Sequence, residues 1–251
     1  MDTSVNDLRV LVTAGASGIG EAISDTFAAA GARIYVCDID TDALDAFARE
    51  RPNAGSKLAD VSSPEAVDAL FDAAADFLGG LDVLVNNAGI FEPHPITETT
   101  YEEWQAGFRD TLEVNLVGAA NATWCAVRHM LRAGGGAIVN VSSRGAFRGE
   151  PGQPAYGASK AGLIAFGQSL ARDLGAHGIT VTAVAPGFTE TDMATEALAG
   201  ERGAARRAES PLGRVAAPEE VAAAVVFLAS PAAVMATGTV IDVNGASYLR
   251  M

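Results

Sequence analysis

VLVTAGASGIGEAI, residues 10–23, is the stretch that decides the fold. A short run of Val and Leu reads as a strand, and the apolar residues that recur after it in GEAISDTFAAAG read as a helix. Between them stand Gly15, Gly18 and Gly20. Glycines there let the backbone turn tightly and approach a pyrophosphate, whose charge a helix N-terminus favours. The spacing is not the GxGxxG of the commonest dinucleotide fingerprint, and glycines also serve plain turns. The position, after the first strand and opening the first helix, is what favours a phosphate-binding loop.

The same alternation continues along the chain. Strands are predicted over 8–13, 33–38, 56–60, 81–86, 136–142, 179–184 and 238–243. They are almost continuously apolar, as strands covered on both faces are. Helical spacing fills the intervals, including one long helix over 108–132 and another over 156–175. Pro64 and Pro218 stand at helix starts, the first behind Ser63 as a cap. Strand–helix–strand repetition predicts a doubly wound α/β fold with a seven-stranded, mostly parallel sheet and helices on both faces. The 251 residues fit a single domain, 1–251, with no repeat or linker dividing it. Only about 187–217 lacks clear periodicity, and 188–212, with Gly200 and Gly203, is expected to be a mobile substrate lid.

Composition narrows the function. A formal net charge of -14 and the lack of any basic run argue against nucleic-acid binding. Cys37 and Cys125 lie on apolar segments and read as buried thiols, with no cluster that suggests a metal. No signal peptide and no membrane span are read, so a cytoplasmic enzyme is expected.

Three further positions carry chemistry. Asp38 ends the second strand eighteen residues after Gly20, where a carboxylate can accept both ribose hydroxyls of adenosine and would repel a 2′-phosphate. The plain alternative is a strand-end aspartate opening a turn; beside the glycine loop, NAD is the better reading. Tyr156 and Lys160 are four apart and share a helix face. A nearby ammonium favours the phenolate and brings a tyrosine toward the working range of a base. Of seventeen basic residues only Lys57 and Lys160 are lysine. A compact point charge suits a site that must reach both a phenol and a ribose, and a planar guanidinium does not. Tyr-xxx-Lys is also common by chance, but Ser143 stands thirteen residues upstream, at a strand's C-terminal end, where its hydroxyl can polarise a carbonyl.

With these residues in place the chain resembles the short-chain dehydrogenase/reductase family over nearly its whole length. TAGASGIG resembles the family's TGxxxGxG loop, NNAG (86–89) its fourth-strand motif, and LEVNLVG the helix carrying its active-site asparagine, here Asn115. APGFTETDM resembles its PGxxxT segment, and TGTVIDVNGA its closing strand. The resemblance implies a Rossmann-type, NAD-dependent enzyme acting on CH–OH groups, with Tyr156 as general acid/base and Ser143 holding the substrate oxygen. Lys160 would lower the tyrosine pKa, and Asn115 would hold a water on the proton path. It carries over cofactor contacts at Gly15, Ser17, Gly18, Ile19, Gly20, Asp38, Asp60, Val61, Asn87, Ala88, Gly89, Tyr156, Lys160, Pro186, Gly187, Thr189 and Thr191. It also implies a homotetramer assembled through helices 108–132 and 156–175. The chain departs from the pattern at Ala14, where the family has its first loop glycine, at Ala185, and at VNGA, where it closes on Asp-Gly-Gly. TYEEWQAG before Phe108 is extra length, a longer helix start or loop.

The substrate is expected to be a small polar secondary alcohol or ketone. Arg144 and Arg148 follow Ser143 closely; exposed arginines are the default, and a carboxylate- or phosphate-binding pair is the minority reading, with Glu92 and Glu150 able to neutralise them. Arg206 and Arg207 read as solvated, Trp124 and Cys125 as core, and His94, His129 and His177 as scattered, with His94 a loop residue. The alternatives are an NADPH-dependent 3-oxoacyl-(acyl carrier protein) reductase, against which Asp38 and the acidity count, and a non-catalytic dinucleotide-binding module, against which Tyr156, Lys160, Ser143 and Asn115 count.

Overall fold

The computed structural model describes residues 2–250. Seven strands form one parallel sheet: β1 Arg9–Thr13, β2 Arg33–Asp38, β3 Gly55–Leu58, β4 Val83–Asn86, β5 Gly136–Val141, β6 Ile179–Pro186 and β7 Val240–Val243. Their spatial order is β3-β2-β1-β4-β5-β6-β7. The helices are α1 Gly18–Ala29, α2 Thr41–Glu50, α3 Pro64–Leu78, α4 Tyr101–Leu112, α5 Ala119–Ala133, α6 Gly145–Arg148, α7 Pro154–Leu174, α8 Gly200–Ala208 and α9 Pro218–Ala229.

Period-2 alternation splits the core into two layers. Val10 and Val12 of β1 join Ile34, Val36, Val83 and Val85 on one face, beneath Ile23 and Phe27 of α1 and Val221 and Val225 of α9. Leu11, Tyr35, Cys37, Leu84 and Ile138 point to the other, beneath Leu70 and Phe71 of α3 and Ala126 and Met130 of α5. This is why the strands read as continuous apolar runs.

Local signals set the helix ends. Ser63 Oγ accepts the Ala66 N–H at 3.2 Å, and α3 stops at Gly79, whose φ is 77°. The extra segment is a helix start: Thr100 Oγ1 accepts the Glu103 N–H, and a Glu103 carboxylate oxygen accepts the Thr100 N–H, closing a capping box that opens α4. The expected single helix over 108–132 is broken. Glu113–Gly118 forms a π-helical turn between α4 and α5, a feature that hydrophobic periodicity does not report. The segment 188–212 is also more ordered than its sequence suggests, since it contains a 3-10 turn at Asp192–Ala194 and α8. Helix α8 is largely polar and short, so its apolar stripe is too weak to see.

The strand order reverses between β1 and β4, and the first loop leaves β1 beside that switch point. Ala14 has φ 48°, the left-handed conformation that glycine adopts freely. The turn therefore keeps its glycine geometry although the residue is alanine. Ala246 repeats the situation at the end of the chain with φ 59°. Gly15 is required for space instead: a Cβ there would lie 2.7 Å from Val36 Cγ1. On Gly20 it would overlap the Ala14 carbonyl oxygen. Relief of about 1–2 kcal/mol of left-handed strain, less the ~0.5–1 kcal/mol entropy cost of glycine, makes Ala14→Gly neutral to stabilising. Gly20→Ala should lose roughly 2–3 kcal/mol through overpacking. Urea unfolding of the two variants checks both signs.

Candidate active site

A cavity of about 250 Å³ opens at the C-terminal ends of β1, β4, β5 and β6. Four loops line it: Ala14 with Ser17, Gly18 and Ile19; Asn87 and Gly89–Phe91; Val141–Arg144; and Pro186–Thr189 with Thr191. Tyr156 and Lys160 of α7 complete it, so Ser143, Tyr156 and Lys160, dispersed in sequence, share one wall.

Side-chain bonds hold these loops together. Thr13 Oγ1 accepts the N–H groups of Asn87 and Ala88, each at 3.0 Å. Asn87 Nδ2 donates back to the carbonyls of Thr13 and Ala14 at 3.1 and 2.9 Å. Asn115, fully buried in the π-helical turn, accepts the Ile90 N–H at 2.7 Å and donates to the Ile90 carbonyl at 3.0 Å. It also donates to Ser159 Oγ at 3.2 Å, which joins the loop after β4 to α7. Ser142 Oγ donates to the Lys160 carbonyl, and Ser143 Oγ accepts the Gly145 N–H at 3.0 Å.

Lys160 is buried and its Nζ donates to the Val141 carbonyl at 3.0 Å. Burial lowers its pKa to about 8. The ammonium lies 5.8 Å from the Tyr156 ring centroid. The expected depression of the phenol pKa is not what this geometry gives. Desolvation pushes Tyr156 above the ordinary tyrosine value, interaction with the Ser143 hydroxyl opposes it, and the charge of Glu150 adds to it. The phenol is thereby kept protonated at neutral pH, as a proton donor needs to be.

The residues expected to hold a dinucleotide fall into two groups. Ser17, Gly18, Ile19, Asn87, Gly89, Pro186, Gly187, Thr189 and Thr191 line the cavity. Gly15, Gly20, Asp38, Asp60, Val61 and Ala88 lie outside it. Gly15 and Gly20 shape the loop, while Asp38 stands at the end of β2 beside it. One Asp38 oxygen accepts the Ile39 N–H at 2.8 Å, and the other lies 3.4 Å from the Ala16 nitrogen. Asp60 is exposed and holds Ser62 N and Oγ at 2.8 Å, a turn contact. Val61 is buried, where a Cβ on Gly118 would meet it at 2.9 Å. The loop fits the implied cofactor: α1 has no side-chain cap at Ser17, and Gly18, at φ 54°, presents no side chain, so backbone can approach a pyrophosphate.

Several residues differ from their expected setting. Arg144 is buried, 3% exposed, and lines the cavity. Its Nη1 lies 2.7 Å from Glu209 Oε2, and its Nε lies 3.6 Å from Glu150 Oε1. Arg148 pairs with the same two carboxylates, so the two arginines are neutralised, by Glu150 and Glu209; Glu92 is exposed and pairs with neither among the described residues. Arg206 and Arg207 are half-buried and donate to the Ala197 and Leu198 carbonyls. Trp124 is 61% exposed on the outer face of α5, whereas Cys125 is buried. His94 is buried: its Nδ1 bonds the Glu92 carbonyl, and its Nε2 accepts the Ala155 N–H at 3.4 Å, at the start of α7. Both thiols are free and buried, and burial pushes Cys37 up to about 12.

The sequence reading missed the apolar wall. Ile90, Phe91, Phe188, Met193, Ala194 and Ala197 face the same cavity, and the Phe91 and Tyr156 rings meet edge to face at 4.7 Å. Ile90 and Phe91 directly follow Gly89, and their place just past a strand's C-terminal end was the available signal. Among the described residues no group of acidic, cysteine or histidine side chains could hold a metal, and no helix is long and apolar enough to cross a membrane.

Known proteins share this arrangement. The family model described as enoyl-(acyl carrier protein) reductase matches residues 13–246. A 3-oxoacyl-[acyl-carrier-protein] reductase from Vibrio cholerae is 40% identical over 240 residues, covering 95% of this chain and 96% of that protein. A cis-4-hydroxycyclohexanecarboxylate dehydrogenase from Sinomonas cyclohexanicum is 42% identical over 240 residues, 94% of each chain. A solved short-chain dehydrogenase/reductase of glucose/ribitol dehydrogenase type from Brucella melitensis superposes with a TM-score of 0.90 at 32% identity, covering 100% of both chains.

The two lysines make the central electrostatic claim accessible. In protein labelled with ¹³C at lysine Cε, one signal should titrate with a midpoint near about 8 and vanish in Lys160→Arg. Because burial penalises the charged form, the amine is protonated below that midpoint and neutral above it. A midpoint near the ordinary lysine value contradicts the buried setting.

Proposed function

We infer the reaction from one premise: the chain belongs to the short-chain dehydrogenase/reductase family. It is an oxidoreductase acting on CH–OH or keto groups. We propose that its cofactor is NAD(H) and its substrate a small ketone or secondary alcohol with a compact apolar body.

Bound nicotinamide supplies or accepts the hydride. In the reducing direction Tyr156 gives its hydroxyl proton to the substrate oxygen, and Ser143 Oγ holds that oxygen by a hydrogen bond. Lys160 Nζ, buried on the same helix face, would restore the proton to the phenol and would bond the ribose of a bound cofactor. Asn115 stands behind it: a Cβ on Gly89 would lie 3.1 Å from Lys160 Nζ and 3.2 Å from Asn115 Oδ1, so both polar groups converge on one backbone position. A water held by Asn115 would extend the proton path from there. With its pKa raised, the Tyr156 phenol carries its proton at neutral pH, the form the acid role requires.

Asp38 carries the choice of NAD(H). It is 7% exposed, its carboxylate is fixed by backbone N–H groups, and the next residue, Ile39, is 68% exposed and uncharged. A 2′-phosphate would meet a held negative charge, and among the described residues no basic side chain pairs with Asp38. The apolar wall supports a substrate with a hydrocarbon body rather than the small polar one expected from sequence. A second reading, an NADPH-dependent 3-oxoacyl-(acyl carrier protein) reductase, is favoured by the name of the Vibrio cholerae relative. Paired assays of a 3-oxoacyl thioester and of simple cyclic and linear ketones, each with NADH and NADPH, separate the two.

NADH should bind at least roughly tenfold more tightly than NADPH, and Asp38→Ala should narrow the gap; tighter NADPH binding overturns the cofactor assignment. Tyr156→Phe should lower turnover roughly a thousandfold and leave NADH binding intact, as fluorescence titration and stopped-flow rates would show.

Assembly is proposed on the same footing. Val117, Trp124 and Leu131 recur at seven-residue spacing along the outer face of the π-turn and α5, and all three are exposed. An apolar stripe of this kind supports a homotetramer with two-fold axes. Trp124→Asp should dissociate it; a wild-type monomer by light scattering at micromolar concentration contradicts it.

A further inference from the structure

We propose that Arg144 is a positioning residue that couples docking of segment 188–209 to the placement of Ser143. This rests on the reading of 188–212, which contains that segment, as a lid over the reaction site.

Arg144 belongs to the catalytic loop through its backbone, since its N–H donates to the Pro186 carbonyl at 2.9 Å. Its side chain belongs to the lid. Nη1 lies 2.7 Å from Glu209 Oε2, at the end of α8, and donates to Ser247 Oγ at 2.6 Å. The guanidinium carbon lies 4.9 Å from the Phe188 ring centroid, and Arg206 of α8 lies 4.3 Å from the same ring. The loop and the lid thus meet through a cation–π stack and an ion pair between buried Arg144 and partly exposed Glu209.

A buried guanidinium is tolerated only while it is paired. Its Nη2 already has no hydrogen-bond partner among the described residues. Departure of the lid would remove Glu209 and the Phe188 stack together, leaving Glu150, at 3.6 Å, as the remaining carboxylate. The guanidinium would then shift toward Glu150. Glu150 stands beside the reaction site: the position a Cβ would take on Gly145 lies 3.3 Å from Glu150 Cγ, 3.3 Å from Ser143 Oγ and 3.5 Å from Tyr156 Cε1, so all three side chains surround one glycine. A displacement of Glu150 is therefore made next to Ser143 Oγ and the Tyr156 ring. With the lid docked, two guanidiniums and two carboxylates balance and Ser143 is set; with it undocked, they do not.

The test compares wild type, Glu209→Gln, Arg144→Lys and the double variant. Glu209 is partly exposed, so Glu209→Gln keeps the test open should Arg144→Lys fail to fold. Each single change should lower kcat roughly tenfold and should speed proteolytic cutting within 188–209. The double variant should be no worse than either single one, because both remove the same contact. Unchanged kcat alongside a lower unfolding midpoint, or rate losses that multiply in the double variant, overturns the coupling. If wild type turns over no carbonyl compound, the proposed reaction fails, while cutting rates still decide the present inference: equal cutting in all four proteins overturns it.

Discussion

The clasp between Thr13 and Asn87 is the contact on which the site depends. β1 and β4 are neighbours in the sheet, but the chain leaves them in opposite senses, so their loops diverge and open a crevice. Four hydrogen bonds, two accepted by Thr13 Oγ1 and two donated by Asn87 Nδ2, fix how far they diverge. The bond to the Ala14 carbonyl also holds the strained residue of the glycine loop. Since a Cβ on Gly20 would come within 2.6 Å of Asn87 Nδ2, the clasp itself demands glycine at the start of α1. One polar contact thus determines the phosphate loop, the fourth-strand loop and the gap between them.

The near-absence of lysine gains a physical meaning from the site. Lys160 Nζ donates to the Val141 carbonyl and lies over the face of Tyr156. A guanidinium would bring five donors into a region that offers few acceptors, and it could not release a proton near neutral pH. A buried amine lowered to about 8 can do so. In the proposed mechanism it is this ability to exchange a proton, more than the size of its charge, that suits lysine to the position.

The fold was legible because its strands are buried on both faces and its helices stop at glycines and start at prolines, signals that act locally. That Ser143, Tyr156 and Lys160 come together was legible because they sit at the end of β5 and on one face of α7. What was not legible depended on distant partners. Arg144 reads as a surface residue until Glu209, sixty-five positions later, is placed against it. His94 reads as a loop residue until α7 supplies an N–H. The π-helical turn at Asn115 leaves no trace in apolar spacing, because it adds one residue to a turn without changing which residues are apolar. Trp124 shows the converse: helical spacing identifies the stripe but does not say which side of the helix the sheet takes.

The balanced four-charge cluster at the cavity contrasts with the rest of the surface, which carries a net charge of -14. A dinucleotide is itself an anion and must approach against that field. Surface repulsion is screened beyond about 8 Å at physiological ionic strength, whereas contacts within the cavity are shielded from salt. Ionic strength therefore governs how often the cofactor arrives, and leaves how long it stays to the loops that enclose it.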